Sequence, residues 1–166
     1  MPLIDLVKKA NLVPGDILEC GVYEAHSAIQ ILQNTVKIVW LVDSFEGLPE
    51  PTAEDIPVSA PCDRGAWKAD YTKVQKSLSC YPHAELIKGM IPECLQQLKN
   101  RRFALTHLDL DYYQATKDAL DFVVPRMNSG GIVLVHDFPW LPGIRKAVEE
   151  SGLKGESNGE YFLWIK

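Results

Sequence analysis

Apolar residues along this chain fall into short unbroken runs joined by segments of helical spacing, and that alternation predicts a mostly parallel sheet with helices on both faces. The clearest runs are 17–22, 38–42, 103–108 and 132–135, with a weaker strand over 85–88. Helical spacing is read over 2–10, with Leu3, Leu6, Val7 and Ala10 on one face, and again over 25–34, 69–80 and 92–99. A further helix carries Tyr112, Ala115, Ala119 and Phe122 and stops near Pro125, after which Ser129-Gly130-Gly131 reads as a link to the next strand. Pro142 opens a last helix that Gly152 stops. Asn158-Gly159 is a hairpin signal, so 160–166 reads as a final antiparallel strand, with a short partner near 153–156.

Each strand ends in residues that can do chemistry. The first run carries Glu19 and Gly21 at its carboxyl end, and Ser27 then leads into Ala28, Ile29 and Leu32. A glycine at that turn lets a ligand approach the backbone, and the free N–H groups of the next helix point the same way. The pattern Glu-x-Gly-x-x-x-Ala-x-Ser lacks the three glycines that lower a pyrophosphate onto a helix. Glu19 would repel a pyrophosphate and favour an ammonium or sulfonium, although a plain turn explains the glycine equally well. Asp43 closes the second strand, 22 residues after Gly21, where nucleotide-binding α/β folds place a carboxylate for ribose hydroxyls. Its alternative role is to cap the following segment through Ser44 and Phe45.

Residues 46–67 hold four of the eleven prolines and show no period, and Trp67 gives them an apolar anchor. A loop of this length directly after Asp43 is read as a lid over the crevice, spanning 46–68. Gly89 and Met90 follow the third strand, where an adenine could pack or the chain merely turn. Asp109 and Asp111 close the fourth strand, and His136-Asp137 close the fifth, so separate strands deliver acids to one edge. Oxygen ligands arriving in this way suit Mg²⁺, while helix capping explains each acid singly. His107, inside a strand, is read as a core histidine in preference to a ligand.

Composition narrows the class. At 166 residues the chain is expected to be a single domain, long enough to bury a core. A net charge of −5 with scattered Lys and Arg disfavours nucleic acid. The N-terminal stretch has no apolar core of signal-peptide length and no run approaches a membrane span, so a soluble, cytoplasmic protein without a membrane partner is expected. Cys20, Cys62, Cys80 and Cys94 lie far apart without a C-x-x-C pair, which predicts free thiols.

The order of elements resembles the class I S-adenosylmethionine-dependent methyltransferase fold, an α/β Rossmann-like fold with a doubly wound sheet and a C-terminal antiparallel strand. More narrowly, four stretches resemble the macrocin O-methyltransferase (TylF-like) family. They are Val13-Pro-Gly-Asp-Ile-Leu-Glu-Cys-Gly-Val-Tyr, Val42-Asp-Ser-Phe-Glu-Gly-Leu-Pro-Glu-Pro, Leu108-Asp-Leu-Asp-Tyr-Tyr-Gln-Ala-Thr-Lys-Asp-Ala-Leu, and Pro125-Arg-Met-Asn-Ser-Gly-Gly before the His-Asp pair. The resemblance implies a small-molecule O-methyltransferase acting on a sugar or natural-product hydroxyl. It implies S-adenosylmethionine held by Glu19, Gly21, Val22, Tyr23, Ser27, Asp43, Ser44, Gly89, Met90 and Asp109, and Mg²⁺ on Asp109 and Asp137. Catalysis would fall to Asp109, Asp137 and His136, the last as a neutral general base.

The chain departs from the family at three points. His136 stands where an acid is usual, Ala25 where the first motif has glycine, and the chain is shorter than typical members. A non-catalytic cofactor-binding or regulatory module with the same fold is the alternative reading, and the glycine pattern argues against a nicotinamide dehydrogenase. Whether the chain forms a homodimer, and whether a metal is bound, stay open at this point.

Overall fold

A computed structural model describes residues 3–56 and 64–166, so Cys62 and the middle of the expected lid lie outside the described residues. The chain runs through α1 (Leu3–Ala10), β1 (Asp16–Cys20), α2 (His26–Leu32), β2 (Val39–Asp43), α3 (Tyr71–Leu78) and β3 (Ala84–Lys88). After a 3₁₀ helix at Glu93–Leu98 come β4 (Phe103–Leu108), α4 (Tyr113–Val123), β5 (Met127–Val135), α5 (Pro142–Glu150), β6 (Glu156–Asn158) and β7 (Tyr161–Ile165). Among the described residues no helix is long and apolar enough to cross a membrane.

The strands form one sheet in the order β3-β2-β1-β4-β5-β7-β6. The first five are parallel, while β7 pairs antiparallel with both β5 and β6. Strand residues alternate between two cores, as the two-residue period requires. Ile17, Leu41 and Leu105 face α1, α2 and α3, whereas Leu18, Val42 and Val133 face the 3₁₀ helix, α4 and α5. Burial on both faces is why these strands read as continuous apolar runs.

Three expectations change in detail. The helix expected over 92–99 is a 3₁₀ helix, whose buried Leu95 and Leu98 sit at the i, i+3 spacing that winding aligns. Ser129-Gly130-Gly131 is a bulge inside β5, not a link before it. Phe103 pairs with Met127 and Leu105 with Ile132, so β5 gains extra residues there. The Gly130 amide donates to the Lys166 carbonyl (2.9 Å) and the Lys166 amide to that of Gly131 (3.0 Å), so the end of the chain takes up these backbone groups. The partner of β7 is Glu156–Asn158, flush against the Asn-Gly turn and later than expected.

The loop after β2 is fastened at both ends. The Gly65 amide donates to the Leu48 carbonyl and the Leu48 amide to that of Ala66, each at 2.8 Å, which joins the two arms at their base. Further out, the buried Asp55 accepts from the Thr52 amide (2.8 Å) and hydroxyl (2.7 Å) through Oδ2. Its Oδ1 accepts from the Tyr113 amide (2.7 Å), the first residue of α4. The same carboxylate fills the space a side chain at Gly143, on α5, would need.

Candidate functional site

Crossovers in a doubly wound sheet leave a crevice outside the carboxyl ends of the strands, where the order reverses. In this chain that point lies between β1 and β4, and a cavity of about 450 Å³ opens there. Every residue named above for cofactor, metal or catalysis lines it except Glu19. Gly21, Val22, Tyr23 and Ser27 come from the β1–α2 turn, Asp43 and Ser44 from the end of β2, and Gly89 and Met90 from the end of β3. Asp109 follows β4, and His136 and Asp137 follow β5.

Backbone geometry explains the turn after β1. Gly21 has φ +88°, and a Cβ there would overlap the Asp109 carbonyl, so only glycine lets β1 and β4 close together at their ends. Ala25 is also left-handed (φ 68°), directly before α2, which gives a physical reason for a glycine at that place in the family motif. Tyr23, Asp111, Asp137 and Trp67 likewise have positive φ (48°, 60°, 55° and 58°), and all four line the cavity. Strain of this kind gathers where a fold must aim side chains.

Asp43 is already heavily engaged. Its Oδ2 accepts from the Val22 amide (2.7 Å) and the Tyr23 amide (2.9 Å), and its Oδ1 accepts from the Phe45 amide (2.7 Å). The carboxylate therefore holds the β1–α2 turn and caps its own, and acceptor capacity is left on Oδ1 for a hydroxyl in the cavity. Both roles considered for this residue are compatible with the geometry.

Glu19 occupies a different layer from the one expected. It is fully buried beneath the cavity, and its Oε1 lies 2.8 Å from Nδ1 of His107, its direct neighbour across the β1–β4 pair. His107 is itself buried and reaches the cavity wall, its Nε2 without a partner, so it is a core histidine with one polar edge on the site. The acid acts on the cavity through that imidazole.

At the other end of the cavity three carboxylates surround one imidazole. His136 Nδ1 lies 3.1 Å from Asp109 Oδ1 and 3.2 Å from Asp137 Oδ2, and its Nε2 lies 3.7 Å from Glu160. Nδ1 is shielded from solvent yet makes an aligned hydrogen bond with neither acid. Burial alone would lower the His136 pKa, but the adjacent Asp109 and Asp137 outweigh it and raise it from 6.5 to about 10. Burial opposes ionisation of Asp109, yet His136 and His107 hold its carboxyl below the usual range. For Asp111, burial together with the charges of Asp109 and Asp137 outweighs the opposing charge of His136 and pushes it from 3.8 to about 7. Tyr161, at the start of β7, packs on His136 with ring centroids 4.9 Å apart, and burial and then Glu160 raise its phenol.

Sequence reading left two of these residues out of the site. Asp111 was visible two residues from Asp109, but the left-handed turn that carries it into the cavity was not. Tyr161 reaches the rim because β7 runs antiparallel, so its first residue, not its last, sits beside the strand ends.

This topology, with an antiparallel strand between β5 and the sheet edge and a cavity at the switch point, defines a Rossmann-like methyltransferase fold. Solved structures agree. The O-methyltransferase NovP superposes with a TM-score of 0.84 at 23% identity, covering 99% of this chain and 77% of that one. The calicheamicin methyltransferase CalS11 gives 0.87 at 19% identity, covering 98% and 76%.

The family model for macrocin-O-methyltransferase (TylF) matches residues 3–154, and the chain belongs to that family. It is 30% identical over 155 residues to 8-demethyl-8-(2,3-dimethoxy-alpha-L-rhamnosyl)-tetracenomycin-C 4'-O-methyltransferase of Streptomyces olivaceus, covering 85% of this chain and 59% of the relative. It is 29% identical over 154 residues to mycinamicin III 3''-O-methyltransferase of Micromonospora griseorubida, covering 83% and 60%. The chain thus spans about three-fifths of the length of the curated relatives it matches.

Proposed function

We propose that this chain is an S-adenosylmethionine-dependent O-methyltransferase that methylates a hydroxyl of a small molecule, most naturally a sugar carried by a natural product. The observation that carries this reading is the joining, in one cavity, of a ligand cradle at Gly21, Asp43 and Met90 with a proton-handling cluster at Asp109, Asp111, His136 and Asp137. The names of the relatives, all O-methyltransferases and one of them naming a rhamnosyl group, support the acceptor class. The net charge of −5 supports a small molecule over nucleic acid, and the free thiols of Cys20, Cys80 and Cys94 support a cytoplasmic setting.

The lining fits the cofactor. The β1–α2 turn offers backbone and the Ser27 hydroxyl for an amino-acid portion, Asp43 Oδ1 and Ser44 face the place for a ribose, and Met90 with Gly89 offers a flat apolar contact. When bound, S-adenosylmethionine supplies an electrophilic sulfonium methyl. The acidic wall favours that positive charge, and His107 at the floor gives a polar contact fixed by Glu19.

The protein's share of the chemistry is alignment of the acceptor oxygen and removal of its proton. His136 was expected as a neutral base, but an imidazole held protonated to about 10 has no lone pair to offer at neutral pH. Asp111 lines the same cavity, where burial and the neighbouring acids outweigh the opposing His136 charge and raise its carboxyl to about 7, and we assign it the proton. Asp109 and Asp137 keep His136 in place and hold the rim negative. Mg²⁺, with its demand for oxygen ligands, does not fit a set in which imidazole nitrogen stands between the two carboxylates, and no step is derived through it.

Calorimetry with S-adenosylhomocysteine, followed by methyl transfer to a panel of deoxysugar glycosides, tests the reading. Asp111→Asn should lower turnover about 10²- to 10⁴-fold while leaving S-adenosylhomocysteine affinity within a few-fold. Tight binding with no turnover on any hydroxylated acceptor would favour the regulatory module instead.

A further inference from the structure

The geometry points to a centre for a divalent transition-metal ion of the manganese-to-zinc range, held by Asp109, Asp137 and the Nδ1 of His136, in place of a magnesium site. It rests on the methyl-transfer reading only in taking this rim as the place where the acceptor hydroxyl arrives.

The spacing is that of a ligand set. A single ion at about 2.1 Å from each donor sets neighbouring donors about 3.0 to 3.4 Å apart, from octahedral to tetrahedral angles. His136 Nδ1 stands 3.1 Å from Asp109 Oδ1 and 3.2 Å from Asp137 Oδ2, and all three donors lie within 4.8 Å of one another. An imidazole placed there only to bridge two acids would aim its N–H at one of them. This one aims at neither, and its Nδ1 is closed to solvent.

A second observation comes from outside the cluster. The His107 ring lies 6.3 Å from that of His136, is 1% exposed, and turns an unpartnered Nε2 toward the same cavity. A buried nitrogen with no partner at that wall is placed to accept a hydrogen bond from water on an ion, while Glu19 fixes its ring from the opposite side. Glu160, 3.7 Å from His136 Nε2, adds a carboxylate beside the cluster.

Donor chemistry then selects the metal. Carboxylates serve magnesium, manganese and zinc alike, but imidazole nitrogen serves the transition metals far better than magnesium. A protein with an acid at position 136 would present oxygen alone. In this chain the two acids that flank His136 Nδ1 would draw the cation to a nitrogen donor.

The test uses the whole chain, stripped with chelator and titrated calorimetrically at pH 8 with MnCl2, CoCl2 and MgCl2, alongside His136→Asp and His136→Gln. Transition metals bind most mixed sites more tightly than magnesium, so the informative quantity is the change in preference on mutation. The cobalt-to-magnesium affinity ratio is expected to fall tenfold or more in His136→Asp, and bound Mn²⁺ should show ¹⁴N coupling by pulsed EPR in the unaltered chain but not in His136→Gln. An unchanged ratio, absence of that coupling, or failure of the unaltered chain to bind any of the three metals would overturn the proposal. S-adenosylhomocysteine binding and methyl transfer measured on the same samples separate this result from the methyl-transfer reading, which fails if that ligand does not bind or binds without turnover on any acceptor.

Discussion

Asp55 is the residue on which the loop after β2 is hung, and its removal has a magnitude that can be worked out. Asp55→Ala deletes an acceptor for the Tyr113 amide at the start of α4 and for both the amide and the hydroxyl of Thr52. A hydrogen bond from a helix-end amide to a charged, buried acceptor contributes about 1.5–2 kcal/mol. The Thr52 groups lie in a loop that water can reach, so together they add about 1 kcal/mol. The total, about 3 kcal/mol, corresponds to a fall in melting temperature of about 6–12 °C for a chain of this size. Gly143→Ala should act through the same contact, because its new methyl group would take the place of Asp55 Oδ1. Differential scanning calorimetry of both single variants and the double variant tests this. The double variant should be no less stable than the worse single one by more than a few tenths of a kcal/mol, the mark of a shared interaction. A melting temperature within 1 °C of the parent for Asp55→Ala, or full additivity with Gly143→Ala, would refute the reasoning.

Three more outcomes follow from the same structure. Ala25→Gly should relieve the left-handed strain before α2 and stabilise the fold by about 1 kcal/mol, read as a rise of about 2–4 °C in melting temperature; an unchanged or lower value would contradict that account. In chelator-treated protein the raised pKa of His136 makes its ion pairing fully stabilising below its unfolded value of 6.5 and progressively lost as pH climbs toward about 10. Chemical denaturation between pH 7 and 10 should therefore show falling stability, and His136→Gln should flatten that slope. In a Cys62→Ser background a thiol reagent should modify the exposed Cys80 quickly and Cys20 only on unfolding, because burial raises the Cys20 thiol well above its ordinary range. Rapid labelling of Cys20 in the folded protein would be inconsistent with its buried place in β1.

Much of the fold was legible because a parallel sheet covered on both faces writes itself as unbroken apolar runs, and because Pro92, Pro125, Pro142 and Asn158-Gly159 punctuate the spaces between them. The strand ends could be placed for the same reason, and with them the cavity-lining acids Asp43, Asp109 and Asp137. What stayed hidden depends on partners distant in the chain. Nothing local announces that Glu19 meets His107 across a strand pair, so it read as an acid facing the ligand directly. Left-handed backbone at Tyr23, Ala25, Asp111 and Asp137 was equally invisible, since none is the glycine that usually marks it. The bulge at Ser129-Gly130-Gly131 looked like a link because its pairing with the last residue of the chain lies 36 positions downstream of Gly130 (166 − 130).

The reversed direction of β7 has a practical use. Its leading residues stand at the crevice, so its trailing residue, Lys166, is bonded back to Gly130 and Gly131 at the opposite pole of the sheet. A flexible tether appended after Lys166 would hang from that far pole. Molecules anchored to a sensor surface in this manner would all present an unobstructed mouth to the solution.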